Sequence, residues 1–146
     1  AATKRALVHG DVSPKNILVG PHGPLLLDAE CAWYGDPAFD VAFCLNHLLL
    51  KCVWRPEWRE QYMHCFEIFT ETYGQAVSWE PWAALEQRVA HLLPGLLLGR
   101  IDGKSPVEYL TKEYDRALVR RVAVALLQQP VEALADLLHV WQKETE

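Results

Sequence analysis

Residues 7–40 read LVHGDVSPKNILVGPHGPLLLDAECAWYGDPAFD, and the fold turns on them. Two short β-prone runs, 17–19 and 25–27, flank GPHGP, whose two glycines and two prolines supply turn angles and interrupt strand pairing. That is the pattern of a β-hairpin. Beyond Asp36 the apolar residues recur at helical spacing, and they do so to the end of the chain. The expected fold class is α+β, mostly α: a polar loop and a short β-hairpin followed by a helical bundle. The 146 residues suit one domain. It divides into a polar segment at 1–36 and a helical region at 37–146.

Caps and breakers set the expected helix boundaries outward from the hairpin. Asp36 reads as an N-cap with Pro37 in the first helical position. The spacing of Val41, Cys44, Leu45, Leu48 and Leu49 then predicts a helix over 37–53 with that stripe buried. A second helix is expected over 56–73, with Trp58, Tyr62, Phe66, Phe69 and Tyr73 as core and Gly74 as its stop. A third begins near Pro81, turns Trp82, Leu85, Val89, Leu92 and Leu96 inward, and should kink at Pro94. SPVE at 105–108 has the form of a capping box with Pro106 in the first helical position. Two further helices are expected over 111–128 and 130–143.

Composition excludes several function classes. The chain is half apolar, 23% charged and carries a formal net charge of −5, which argues against disorder and leaves no basic footprint for nucleic acid. Cys31, Cys44, Cys52 and Cys65 form no C-x-x-C pair, so neither a zinc site nor a redox motif is indicated. Free thiols in a reducing cytoplasm are the simpler reading. The longest apolar runs, near 48–50 and 92–98, are broken by Lys51, Pro94 and Gly95, and no membrane span or signal peptide is expected. The sequence lacks an initiating Met, which suggests a processed product or a piece of something longer.

The chemistry concentrates in the polar segment. His9, Asp11 and Asn16 stand in the spacing H-x-D-x-x-x-x-N, which suits phosphoryl transfer. One loop can aim a carboxylate at an attacking hydroxyl while an amide oxygen five residues on holds magnesium against the phosphates. Asn16 leads into the first strand and Asp28 ends the second, so a hairpin returns both to one end and offers two hard oxygen ligands to Mg²⁺. The ILV and LLL runs are expected to anchor these loop ends in the core and keep water out.

HGDVSPKNILV, LLLDAE and WYGDPAFDVAF together resemble the aminoglycoside phosphotransferase and choline kinase group of kinase-like enzymes, specifically their C-terminal lobe. RIDGKSPVEYL at 100–110 is similar to a segment of bacterial members. The resemblance implies ATP and Mg²⁺ as cofactors and a small-molecule hydroxyl as acceptor: an aminoglycoside, a choline-like amine, homoserine or a sugar. It implies Asp11 as catalytic base, Asn16 and Asp28 as magnesium ligands, and Leu18 beneath the adenine. Kinase-like catalysis also uses a glycine-rich loop over the phosphates, a strand lysine and its glutamate partner. None of these is in this sequence, so the N-terminal lobe is expected to be absent, the isolated lobe inactive, and the fragment capable of self-association.

Other residues carry two readings. Ser13 could contact the transferred phosphate or cap its own turn. Lys15 could serve the phosphates, though a solvated loop lysine is favoured. Glu30 could help a second magnesium or the substrate, with a supporting polar contact favoured. His9, Asp36 and Asp40 are expected to support the site: His9 fixes the loop, Asp36 caps a helix, and Asp40 accepts hydrogen bonds from the loop backbone. Asp102, Glu108 and Glu113 could meet a cationic acceptor but more often form a solvated face. A different class of function is a non-catalytic helical binding module that holds a protein partner through Trp54, Trp58, Trp79 and Trp82.

Overall fold

A computed structural model describes residues 5–145. Four short strands come first, β1 (Ala6–Val8), β2 (Ile17–Gly20), β3 (Gly23–Leu26) and β4 (Trp33–Gly35), and five helices follow. The class is α+β and mostly α, as the sequence led us to expect. β2 and β3 form the hairpin, with Ile17 opposite Leu26 and Gly20 opposite Gly23. β1 and β4 pair as a second antiparallel ribbon, Ala6 opposite Gly35 and Val8 opposite Trp33. Three-residue strands are too short to show an alternation, and the sequence gives no sign of this ribbon.

α1 (Ala38–Trp54) is the centre of the bundle. Its Val41, Leu45, Leu49 and Leu50 are sealed by Leu85, Val89, Leu93 and Leu97 of α3 (Trp82–Asp102) and by Val119 and Val122 of α4 (Glu113–Gln128). α5 (Leu134–Thr145) closes the core with Leu134, Leu137 and Trp141. α1 is buried on nearly every side, which is why its sequence is apolar well beyond one stripe.

Several boundaries differ from expectation. Residues 56–58 form a single 3-10 turn, and α2 (Arg59–Ala76) runs through Gly74 and ends two residues later. Gly74 is there for packing: a Cβ would stand 3.0 Å from the Trp82 ring. Of the aromatic stripe on this helix only Phe66 is fully buried, and Trp58 is exposed. α3 continues without a break through Pro94. No helix starts at the SPVE box; Val107 and Leu110 are buried instead, and the Val107 N–H donates to the Arg100 carbonyl at 2.8 Å. α5 begins four residues after Pro130, where the Glu86 carboxylate accepts the Leu134 N–H at 3.0 Å and caps it from α3.

The largest correction concerns the hairpin. Leu18, Val19, Leu25, Leu26 and Leu27 are all about half exposed or more, with Val19 at 81%. They do not anchor the loop ends in the core. The helices pack on one another, and a two-stranded ribbon has two faces that such a bundle does not enclose. The result is exposed apolar surface on both faces of the hairpin, beside the polar loop.

Candidate active site

The loop after β1 is held by its own backbone and by α1. Gly10 has φ +84, and a Cβ there would lie 2.5 Å from the Cys31 carbonyl oxygen and 2.7 Å from the Trp33 ring, so only glycine fits between His9 and Asp11. The His9 and Gly10 N–H groups donate to Oδ2 and Oδ1 of Asp40 at 2.7 and 2.9 Å. One carboxylate on the first turn of α1 thus fixes two consecutive peptide groups. The Asp11 N–H donates to His9 Nδ1 at 3.3 Å, the Ser13 N–H to the Asp11 carbonyl at 2.8 Å, and the Asn16 N–H to the Ser13 carbonyl at 2.9 Å.

Asp36 ties the far end of the segment to α3. Its carboxylate accepts the Ala38 N–H at 3.0 Å and two bonds from the Arg88 guanidinium at 2.8 and 3.2 Å. Arg88 also reaches Glu80 at 2.9 Å, and these hydrogen bonds raise its pKa further above the ordinary arginine value. Arg88 escapes a sequence reading because Asp36 lies 52 residues away, and Glu80 matters only through Arg88.

Asp11, Asn16 and Asp28 gather around the base of the hairpin. The Asp11 carboxylate is a quarter exposed, with Oδ2 3.7 Å from Lys15 Nζ. Asn16 is buried, and its Nδ2 donates to the Asp11 carbonyl at 3.0 Å, which leaves the amide oxygen on the other side for a cation. The Leu27 N–H donates to the Asn16 carbonyl at 2.8 Å, so the chain reaches Asp28 one residue past the partner of Asn16. Asp28 has φ 63 and ψ 61, the left-handed region that a non-glycine residue enters at a cost. Its side chain is exposed, as is that of Glu30 in the following turn.

This donor set fits magnesium held together with phosphate. Among the described residues, no group of three or more His, Cys, Asp or Glu side chains is placed to hold a metal ion. Were Asn16 and Asp28 to hold Mg²⁺, their two hard oxygens would leave most of an octahedral shell to water and phosphate oxygens, as is usual beside a nucleotide. Ser13 is 1% exposed and its hydroxyl has no hydrogen-bond partner, so it does not cap its own turn. Leu18 is half exposed on β2.

Asp11 also forms part of the wall of a cavity of about 620 Å³. Opposite it stand Phe43 and His47 from α1 and the segment 100–110, which supplies Arg100, Ser105, Glu108 and Tyr109. His47 is 5% exposed, and burial first and the nearby Arg100 charge second push its pKa down to about 4. Its Nδ1 lies 3.1 Å from the Tyr109 hydroxyl, whose own pKa is raised by burial so that the phenol keeps its proton. Sequence reasoning left His47, Arg100 and Tyr109 unassigned, and RIDGKSPVEYL had no mechanism; its place is this wall. Asp102 and Glu113 do not reach the cavity, because both are engaged by Arg120, at 2.8 and 3.2 Å.

The remaining features lie apart from this centre. A second cavity of about 630 Å³, bounded by Phe66, Trp82 and Leu138 among others, includes no residue of the loop. All four cysteines are free, and burial pushes the Cys44 and Cys52 thiols up to about 11 and 12, which keeps them protonated. Trp54 packs on Tyr109 and Trp82 on Tyr73. Among the described residues, no helix is long and apolar enough to cross a membrane.

Residues 1–85 match the family model for APH, described as the phosphotransferase enzyme family. The matched span is more than half of the chain and includes the loop, the hairpin, Asp28, Asp36 and the whole of α1. No curated protein matches the sequence.

Proposed function

This chain belongs to the phosphotransferase enzyme family, and we propose that it is the C-terminal lobe of a kinase-like enzyme that transfers the γ-phosphoryl group of ATP to a hydroxyl of a small molecule. The observation that carries the reading is the position of Asp11. Its carboxylate opens on a cavity large enough for a small acceptor, while its own carbonyl holds the Asn16 amide beside the hairpin end where Asp28 stands. In this reading Asp11 orients the acceptor hydroxyl and takes its proton, and Asn16 and Asp28 hold magnesium. Bound Mg²⁺ would neutralise charge that builds up on the phosphate oxygens. Leu18 offers an apolar surface to the adenine, and the unpaired Ser13 hydroxyl, closed to solvent here, would have to turn outward to meet the phosphates.

The exposed apolar hairpin supports a second element of the proposal. Leu18, Val19, Leu25 and Leu26 form the surface on which an N-terminal lobe would pack, bringing the phosphate-covering loop and the lysine that this sequence lacks. Without that lobe the nucleotide loses a wall, so we expect this lobe alone to be inactive and its open face to promote self-association. The free cysteines agree with a cytoplasmic location. The reading as a tryptophan-mediated binding module is not favoured, because Trp54 and Trp82 are used internally.

Calorimetric titration of Mg·ATP into the full-length enzyme, with its N-terminal lobe, tests the proposal. Asp28→Ala should weaken binding at least tenfold, the scale of losing one charged ligand interaction of about 1.4 kcal/mol or more. Unchanged affinity in that variant would remove Asp28 from the site.

A further inference from the structure

The cavity beside Asp11 contains a positive charge that the protein does not neutralise. Arg100 lies in the last turn of α3, its Nη1 donating to the Ser105 carbonyl at 2.6 Å and its guanidinium carbon 5.7 Å from the centre of the Phe43 ring. Among the described residues it forms no ion pair, whereas Arg88, Arg116, Arg120 and Arg121 all do. Its Nε is buried without a hydrogen-bond partner. The other cation of the wall, Lys15, is paired with Asp11.

His47 adds a second unused polar group to the same wall. It is more than nine-tenths buried and lines the cavity, yet its Nε2 has no partner. When Nδ1 accepts a hydrogen bond from the Tyr109 O–H, the ring's single proton sits on Nε2, where it is a donor. Neither nitrogen is open to solvent in the empty protein, so a small turn of the two side chains would bring them to a bound oxyanion and remove the cost of leaving them unpaired. The formal charges of the wall cancel, Asp11 and Glu108 against Lys15 and Arg100, and a cationic acceptor would have to settle beside the unpaired Arg100. Asp102 and Glu113 are held by arginines, and of the acids on this wall only Glu108 at the rim is without an ion-pair partner.

We propose that Arg100, with His47 beside it, binds the anionic group of the acceptor, so that the substrate is a small alcohol carrying a carboxylate or phosphate rather than a polyamine or a choline-like cation. This rests on the phosphotransfer reading above, since it assigns the far end of the molecule whose hydroxyl meets Asp11. The bidentate geometry of a guanidinium suits a planar carboxylate or a phosphate, and the buried imidazole fixes its orientation. The segment 100–110 then has a role: its turn at 103–110 holds Ser105 against Arg100 and Tyr109 against His47, and so shapes the subsite.

Two measurements on the full-length enzyme, with its N-terminal lobe in place, decide it. Nuclear magnetic resonance of the arginine Nε–H and histidine ring signals is followed while inorganic phosphate, D-glycerate or choline is titrated. Phosphate and D-glycerate should shift the Arg100 and His47 signals saturably, choline should not, and Arg100→Gln should abolish the response while Arg100→Lys keeps a weaker one. ADP release is then measured with D-glycerate, glycerol phosphate, choline and an aminoglycoside as acceptors in the presence of Mg·ATP. Arg100→Gln should raise the KM of an anionic acceptor about 10- to 100-fold, as expected for loss of a charge-assisted hydrogen bond, and leave the KM of Mg·ATP unchanged. The inference is overturned if neither anion perturbs these signals, if turnover occurs only with the cations, or if Arg100→Gln alters the KM of ATP instead. Saturable anion binding lost in Arg100→Gln, but with no ADP release from any acceptor, would uphold the anion site and sink the phosphotransfer reading.

Discussion

The polar loop at 9–16 and the cavity wall at 100–110 face each other across Asp11 but are built in opposite ways. In the loop the backbone is tied down, Asp40 taking the N–H groups of His9 and Gly10 and Asn16 holding the Asp11 carbonyl, although His9 Nε2 and the Ser13 hydroxyl stay unpaired. In the wall, Arg100 and His47 each retain a ring or guanidinium nitrogen that the protein leaves unpaired. Satisfied groups fix a position, because moving any of them breaks a bond; unsatisfied groups gain only when something else arrives. The loop therefore sets geometry, and the wall is open to selection among ligands.

Breaking the loop's side of that contrast should have the larger effect on stability. Asp40→Ala leaves two part-buried N–H donors unpaired, each costing about 1–3 kcal/mol, so the denaturant midpoint should fall by the equivalent of about 2–5 kcal/mol. Asp40→Asn, which keeps one acceptor oxygen, should fall between that variant and the wild type. A change below about 0.5 kcal/mol in Asp40→Ala would mean that the loop is held by something other than α1.

The wall gives a smaller effect that depends on pH. His47 has its pKa lowered from the ordinary 6.5 to about 4 in the folded protein. Between those values the unfolded chain binds a proton that the native state refuses, so stability rises with pH across this window. The contribution is fully present above pH 6.5, declines as the pH falls below it, and is gone by about pH 4. Its total is roughly 3 kcal/mol from the size of the shift. His47→Gln should flatten the stability curve between pH 4 and 6.5, read from thermal melts at half-unit steps. An unaltered pH slope in this variant would show that His47 titrates normally in the fold.

The two regions also differed in how much the sequence disclosed. The hairpin, the loop motif and Asp40's place on the first turn of α1 could be read directly, because each depends on residues within about one turn or one strand of one another. The pairing of β1 with β4, the passage of α2 through Gly74 and the capping of α5 by Glu86 depend on distant partners, and periodicity carries no trace of them. SPVE misled for a related reason: a capping box starts a helix only where nothing competes, and here Val107 is drawn into the core. The apolar hairpin misled because hydrophobicity tells which residues seek cover, not whether this lobe supplies it. Arg100 in a greasy helix end and His47 in a buried helix were the signals for the wall, and neither has a fixed spacing to the loop.

The central claim is that Asp11 accepts the acceptor's proton at the mouth of the 620 Å³ cavity. The most direct measurement is kcat for ADP release by Asp11→Asn in the full-length enzyme, with its N-terminal lobe, and Mg·ATP, alongside circular dichroism to establish that the variant folds. A fall on the order of 10²–10⁴ with the KM of Mg·ATP little changed is the predicted result for a lost general base. Turnover at the wild-type rate would contradict it and leave the loop as architecture alone.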